Sequence, residues 1–287
     1  MRAVYLFTLF LAVALGHPNR ACAEQIQAQL PSGLPVNAEF VAADPNNPAV
    51  LVLHGFLQTY DFLATRNIVN DLSAMNYTVL APNLSLGVPN RKQSAQCSAP
   101  HAHTFGDDLN EMDFWVKWLR KKGYRRIVLV GHSWGSQHSL GYVLRYPDSP
   151  IMAIVAISLV RTHQNAAALK AQGTVANKRL KTSPKSLHVY KLGFCNKYMT
   201  TPKGYLSYSK WSDQHVLDAL ATLHERGFSV YVILGGQDKR IDADWEAAVR
   251  ERVEKMMEIE GANHFFSSVS EFDLNDQLER LLPEIAH

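Results

Sequence analysis

Runs that are apolar at nearly every position recur along the chain: 49–54 (AVLVLH), 77–82 (YTVLAP), 126–130 (RIVLV), 151–158 (IMAIVAIS), 230–234 (VYVIL) and a shorter 255–259 (KMMEI). Such runs fit strands buried on both faces, which is the signature of a parallel sheet. The intervening stretches change period. Residues 61–75 place Phe62, Leu63, Ile68, Val69 and Leu72 on a helical stripe, and 107–120 repeat the pattern with Leu109, Met112, Trp115, Val116 and Leu119. Gly123 and Gly227 stand where helices over 107–120 and 213–226 should end, as glycine suits the left-handed residue past a helix. A last helix is expected over 271–285. Ahead of the first run, 25–30 and 34–41 flank a Pro-Ser-Gly turn and predict an antiparallel hairpin at a sheet edge. Strand then helix, repeated, predicts an α/β protein with a mostly parallel, doubly wound sheet and helices on both faces. In such sheets the ligand crevice lies at the carboxyl ends of the strands.

Two segments depart from this alternation. The first is N-terminal: Arg2 precedes 14 apolar or small residues, 3–16, and Ala21-Cys22-Ala23 follows as a small-x-small cleavage site. The run is too short to span a bilayer and suits the core of a signal peptide. The expected domain division is a signal peptide over 1–23 and one catalytic domain over 24–287, exported to a periplasm or the exterior. The second segment is 159–212. It holds ten of the chain's 29 basic residues, while all 26 acidic residues lie elsewhere. It also interleaves Tyr190, Phe194, Tyr198, Tyr205, Tyr208 and Trp211. Two readings of this insertion stand: a solvated, lysine-rich surface, or a basic lid that meets an anionic membrane surface or amphiphile.

The balance of 29 basic and 26 acidic residues gives no footprint for nucleic acid. Without Cys22, the cysteines are Cys97 and Cys195, an even pair that an oxidising compartment would join as a disulfide. No cofactor is expected. His101-x-His103 has no third ligand at useful spacing, so no metal is expected either.

Directly after the third apolar run stands Gly131-His132-Ser133-Trp134-Gly135. A G-x-S-x-G between a buried strand and a helical segment needs small residues two before and two after the serine, because the turn is tight. By this arrangement the sequence resembles the α/β-hydrolase superfamily, in its esterase, lipase and lysophospholipase-like branch, from about residue 49 to the end. The resemblance implies the order nucleophile, acid, histidine. Gly235-Gly236-Gln237-Asp238 follows the fifth run, and Gly261-Ala262-Asn263-His264-Phe265-Phe266 follows the sixth, resembling the G-x-x-H-F signature. The implied triad is Ser133, Asp238 and His264; Asp242 and Asp244 read as helix-capping acids. His54-Gly55-Phe56 resembles the family's oxyanion segment, so the backbone N–H groups of Phe56 and Trp134 are implied as oxyanion donors. His132 reads as a structural neighbour of the serine. The segment after the second run, Pro82-Asn83-Leu84-Ser85-Leu86-Gly87, lacks the acid-rich D-x-R-G-x-G-x-S pattern of many relatives. The activity implied is carboxylic-ester hydrolysis through an acyl-enzyme. A thioesterase, acyltransferase or serine peptidase would use the same triad, and a binding protein on the same scaffold is the non-enzyme alternative.

Overall fold

The computed structural model describes residues 23–161 and 166–286. The expected signal peptide therefore lies outside the described residues except for Ala23. In chain order the elements are β1 (Ala23–Gln29), β2 (Pro35–Val41), β3 (Ala49–Leu53), α1 (Leu63–Ala74), β4 (Val79–Asn83), α2 (Phe105–Lys121), β5 (Ile127–His132), α3 (Trp134–Arg145) and β6 (Ile151–Ile157). They continue with α4 (Ala166–Thr182), β7 (His188–Leu192), β8 (Cys195–Thr200), α5 (Pro202–Ser209), α6 (Asp213–Glu225), β9 (Ser229–Gly235), α7 (Ala243–Arg250), β10 (Lys255–Ile259) and α8 (Ser270–Ala286).

Eight strands form one sheet in the order β1-β2-β4-β3-β5-β6-β9-β10. β1–β2 and β2–β4 pair antiparallel, and every later pair is parallel. Alternation within a buried strand feeds two cores. On β3, Ala49, Leu51 and Leu53 face one core, shared with Met112 and Trp115 of α2, Leu140 of α3 and Leu220 of α6. Val50 and Val52 face the other, shared with Ile68 and Leu72 of α1 and Leu278 and Leu282 of α8. That two-sided burial explains why these strands carry no polar face. α2 begins at Phe105, two residues ahead of the expected start, because Thr104 and Asp107 form a reciprocal capping box.

The described part of the 159–212 insertion forms regular elements, though its apolar periodicity is weak. Its described part folds as α4, the antiparallel hairpin β7–β8, and α5. The hairpin is two-faced. Tyr190, Leu192, Cys195 and Tyr198 are buried, with Tyr190 stacked on Tyr205 of α5 and Tyr198 on His101. Cys195 is bonded to Cys97 with Cα atoms 5.5 Å apart, a separation typical of an unforced bridge. The Tyr208 hydroxyl donates to Asp108 of α2, which also accepts from His138 Nε2 at 3.1 Å. The end of the loop before α2 is tied inward by two side chains: His101 and His103 are both buried, and His103 Nε2 meets the Tyr208 hydroxyl at 2.9 Å. His138 is thereby part of this anchor. Among the described residues no helix is long and apolar enough to cross a membrane.

Candidate active site

Ser133 lies between β5 and α3 with φ 56° and ψ −120°. A non-glycine residue in the left-handed region is strained, and here the surrounding chain imposes it. Both flanking glycines are sterically required. A Cβ on Gly131 would lie 2.4 Å from the Gly135 carbonyl group, and one on Gly135 would lie 2.3 Å from the Leu53 carbonyl oxygen. The elbow can therefore press against the end of β3, and Ser133 N–H donates to Ile157 O of β6 at 2.8 Å.

Asp238 and His264 arrive from the next strand ends, β9 and β10. His264 Nδ1 is 2.6 Å from Asp238 Oδ2, and its Nε2 is 3.0 Å from Ser133 Oγ. A carboxylate only accepts, so Nδ1 carries the ring proton and Nε2 presents its lone pair to the serine hydroxyl. Burial lowers the His264 pKa, the bond and charge of Asp238 oppose that only in part, and Arg240 lowers it further. The imidazole is therefore neutral at pH 7. For Asp238, burial alone would raise the pKa; His264, the Arg240 N–H bond at 3.0 Å and the Arg240 guanidinium hold it below the usual carboxylate range. Asp242 instead caps α7 by accepting from Trp245 N–H at 2.9 Å, and Asp244 lies in that helix's first turn.

The loop bearing His264 is pinned through its backbone. The His264 carbonyl accepts from Ser158 Oγ at 2.8 Å and from His132 Nε2 at 2.9 Å. Burial and the nearby His264 push the His132 pKa down to about 3, so its ring stays neutral and acts only as a strut. Phe56 and Trp134 pack against one another with ring centroids 5.1 Å apart, both at the cavity that Ser133 lines. Trp134 is the first residue of α3, where an N–H has no acceptor within the helix. These residues, with Gln58, Val160, Gly193, Phe194 and Phe265, line a cavity of about 180 Å³ that contains Ser133 and His264. A larger hollow of about 650 Å³ beside α2 contains none of Ser133, Asp238 and His264.

One contributor carried no sequence signal. Arg91 is buried, and its guanidinium reaches the carbonyls of Leu84 (2.8 Å), Gln93 (2.9 Å), Gln58 (2.6 Å) and Leu57 (3.5 Å). It also donates to His54 Nε2 at 3.1 Å, beside the Leu84 N–H at the same distance. Two donors on Nε2 fix His54 as the neutral Nδ1–H tautomer, and Nδ1 then donates to Gly55 O at 2.8 Å. One side chain thus braces residues 54–58, the segment that carries Phe56. Burial lowers the Arg91 pKa to about 10, opposed by the charges of Glu111 and Asp108, so it remains a cation.

A family model described as alpha/beta hydrolase fold matches residues 48–184. The chain has the α/β-hydrolase fold. Solved structures agree in fold. The α/β-hydrolase GrgF from Penicillium sp. sh18 superposes with a TM-score of 0.69 at 13% identity, covering 93% of this chain and 100% of that one. Est1E from Butyrivibrio proteoclasticus gives 0.63 at 16%, covering 92% and 98%. A soluble variant of monoglyceride lipase from Saccharomyces cerevisiae gives 0.63 at 15%, covering 96% and 99%. No curated protein matches the chain by sequence. Within this α/β-hydrolase, the described residues include no cluster of His, Cys, Asp and Glu fit to hold a metal ion.

Proposed function

We propose that this α/β-hydrolase is a serine esterase that cleaves a carboxylic ester through an acyl-enzyme on Ser133. The observation that carries the reading is the unbroken hydrogen-bond chain from Ser133 through His264 to Asp238 at the wall of one cavity. A serine hydroxyl is a weak nucleophile until a base takes its proton. His264 Nε2 accepts that proton as Oγ attacks the carbonyl carbon, and Asp238 stabilises the imidazolium that forms. The backbone N–H groups of Phe56 and Trp134 hold the oxyanion, helped by the positive end of α3. The imidazolium returns its proton to the leaving alkoxide, which departs as alcohol. Water, deprotonated by the same ring, then attacks the acyl carbon and releases the acid and free Ser133.

Export after cleavage near Ala23 belongs to the same reading, and the Cys97–Cys195 bond supports it, since such bonds persist in oxidising compartments. The test pairs fluorophosphonate labelling with hydrolysis of p-nitrophenyl esters of increasing chain length, beside a thioester and an aminoacyl amide. Ser133→Ala should abolish labelling and lower kcat by about 10⁴-fold or more with the fold intact. Near-normal ester turnover by that variant would remove Ser133 as nucleophile. Faster turnover of the thioester or amide would reassign the substrate while keeping the triad.

A further inference from the structure

We propose that the outer face of the β7–β8 hairpin docks on an anionic phospholipid membrane and delivers substrate from that surface to Ser133. The delivery step rests on the esterase reading; the docking does not. On the inner face, Tyr190, Leu192 and Tyr198 are sealed in the core, and Cys195 is bonded to Cys97. The outer face alternates apolar and cationic groups. Leu187 and Val189 are 40% and 53% exposed, and Lys191 and Lys197 are exposed beside them. At the tip of the hairpin Phe194 is 64% exposed, yet its ring lies 5.8 Å from Phe56 and lines the Ser133 cavity. Exposed apolar groups gathered on one element, as Leu187, Val189 and Phe194 are here, mark an interaction face more than single ones do.

The chemistry of the cover follows from the charges. The 159–212 segment carries ten Lys or Arg and no Asp or Glu; Arg161 is paired with Asp213 and Asp242, and the other nine cations, with no acid in their own segment, call for an anionic partner. Leu187, Val189 and Phe194 stand among those lysines, and a polyphosphate chain would leave them uncovered. A leaflet of anionic phospholipid offers phosphate to the lysines and acyl chains to the apolar groups, in one plane. The disulfide and the tyrosine inner face make the hairpin a fixed platform, so Phe194 would enter the interface with the cavity mouth beside it.

The experiment is vesicle co-sedimentation of the purified protein on phosphatidylglycerol–phosphatidylcholine and on pure phosphatidylcholine, at low and high salt. The comparison variants are Lys191→Gln with Lys197→Gln, and Leu187→Ser with Val189→Ser; none of these residues lines the cavity. Any contribution of the apolar run 3–16 is common to all the proteins and appears equally on neutral vesicles. The expected result is binding to anionic vesicles that salt weakens, a loss of roughly 25-fold in the double lysine variant at about fivefold per charge, and a clear loss in the apolar variant. Each variant should hydrolyse a short, soluble, neutral ester at the parent rate. No preference for anionic vesicles, or undiminished binding by both variants, overturns the proposal. Retention of vesicle binding with no hydrolysis of any ester would instead defeat the esterase reading and leave the docking surface standing.

Discussion

His264 sets the pH at which the site can work. It must be neutral to accept the serine proton, and burial with Arg240 depresses its pKa below the ordinary imidazole value of 6.5. A lowered pKa keeps the base available at lower pH, so kcat/KM should stay level as pH drops through 6.5 and fall only beneath it. Arg240→Gln removes a cation facing both His264 and Asp238, so the acid limb should move upward in pH; a pH–rate profile of the two proteins reads this directly. Arg91 is the second residue to test. Arg91→Met leaves four carbonyls and one ring nitrogen with a lost donor, and should lower kcat by roughly 10- to 100-fold with a smaller change in KM, because an oxyanion donor matters most in the transition state. Arg91→Lys keeps the charge and loses the fork, so it should recover stability more than kcat. Equal effects on kcat and KM would reduce Arg91 to a packing role. The hydrogen-bonded grouping of Ser133, His264 and Asp238 was legible in the sequence because G-x-S-x-G and the two strand-end motifs impose fixed local spacing. Arg91 was not, because it acts on the backbone carbonyls of residues up to 34 positions away, and a carbonyl has no residue type to read.

The strands were legible as elements for a related reason. β3, β5 and β6 are buried on both faces, so burial leaves a continuous mark, AVLVL in β3. The insertion hid its structure because its core is made of tyrosines. Tyr190, Tyr198, Tyr205 and Tyr208 are almost wholly buried, yet tyrosine is weakly apolar on any scale, and β7 alternates over only five residues. The Cys97–Cys195 pair was anticipated from an even cysteine count, while the placement of both residues between α2's approach loop and the hairpin came from the fold. The bond closes a sequence separation of 98. Replacing both cysteines by serine should cost about 2–5 kcal/mol, read as a lower denaturation midpoint. The loss should be matched by chemical reduction of the parent protein. Phe194 would also lose its fixed place, so KM for a bulky ester should rise more than KM for a short one. An unchanged midpoint on reduction would show that the tyrosine packing alone holds the hairpin.

Across the whole molecule, Ser133, Asp238 and His264 follow β5, β9 and β10, with β6 lying between β5 and β9 in the sheet, and these strands are unequal in support. β5 is central and β10 is an edge strand paired only with β9 among the described strands. Edge units open at lower free energy than the centre of a sheet. Opening of β10 withdraws His264 and breaks its carbonyl bonds to Ser158 and His132. Activity in denaturant should therefore fail at a lower concentration than far-ultraviolet circular dichroism, which reports the whole sheet. Coincident curves would show that the edge opens only with the rest. The same order of strands has a consequence in time. Ser133 leaves the ribosome 131 residues ahead of His264. Throughout that interval the nascent polypeptide displays a nucleophile with no base to activate it. On the esterase reading the protein is inert while it is being made, and hydrolytic competence begins only when β10, the last of the described strands, joins the sheet.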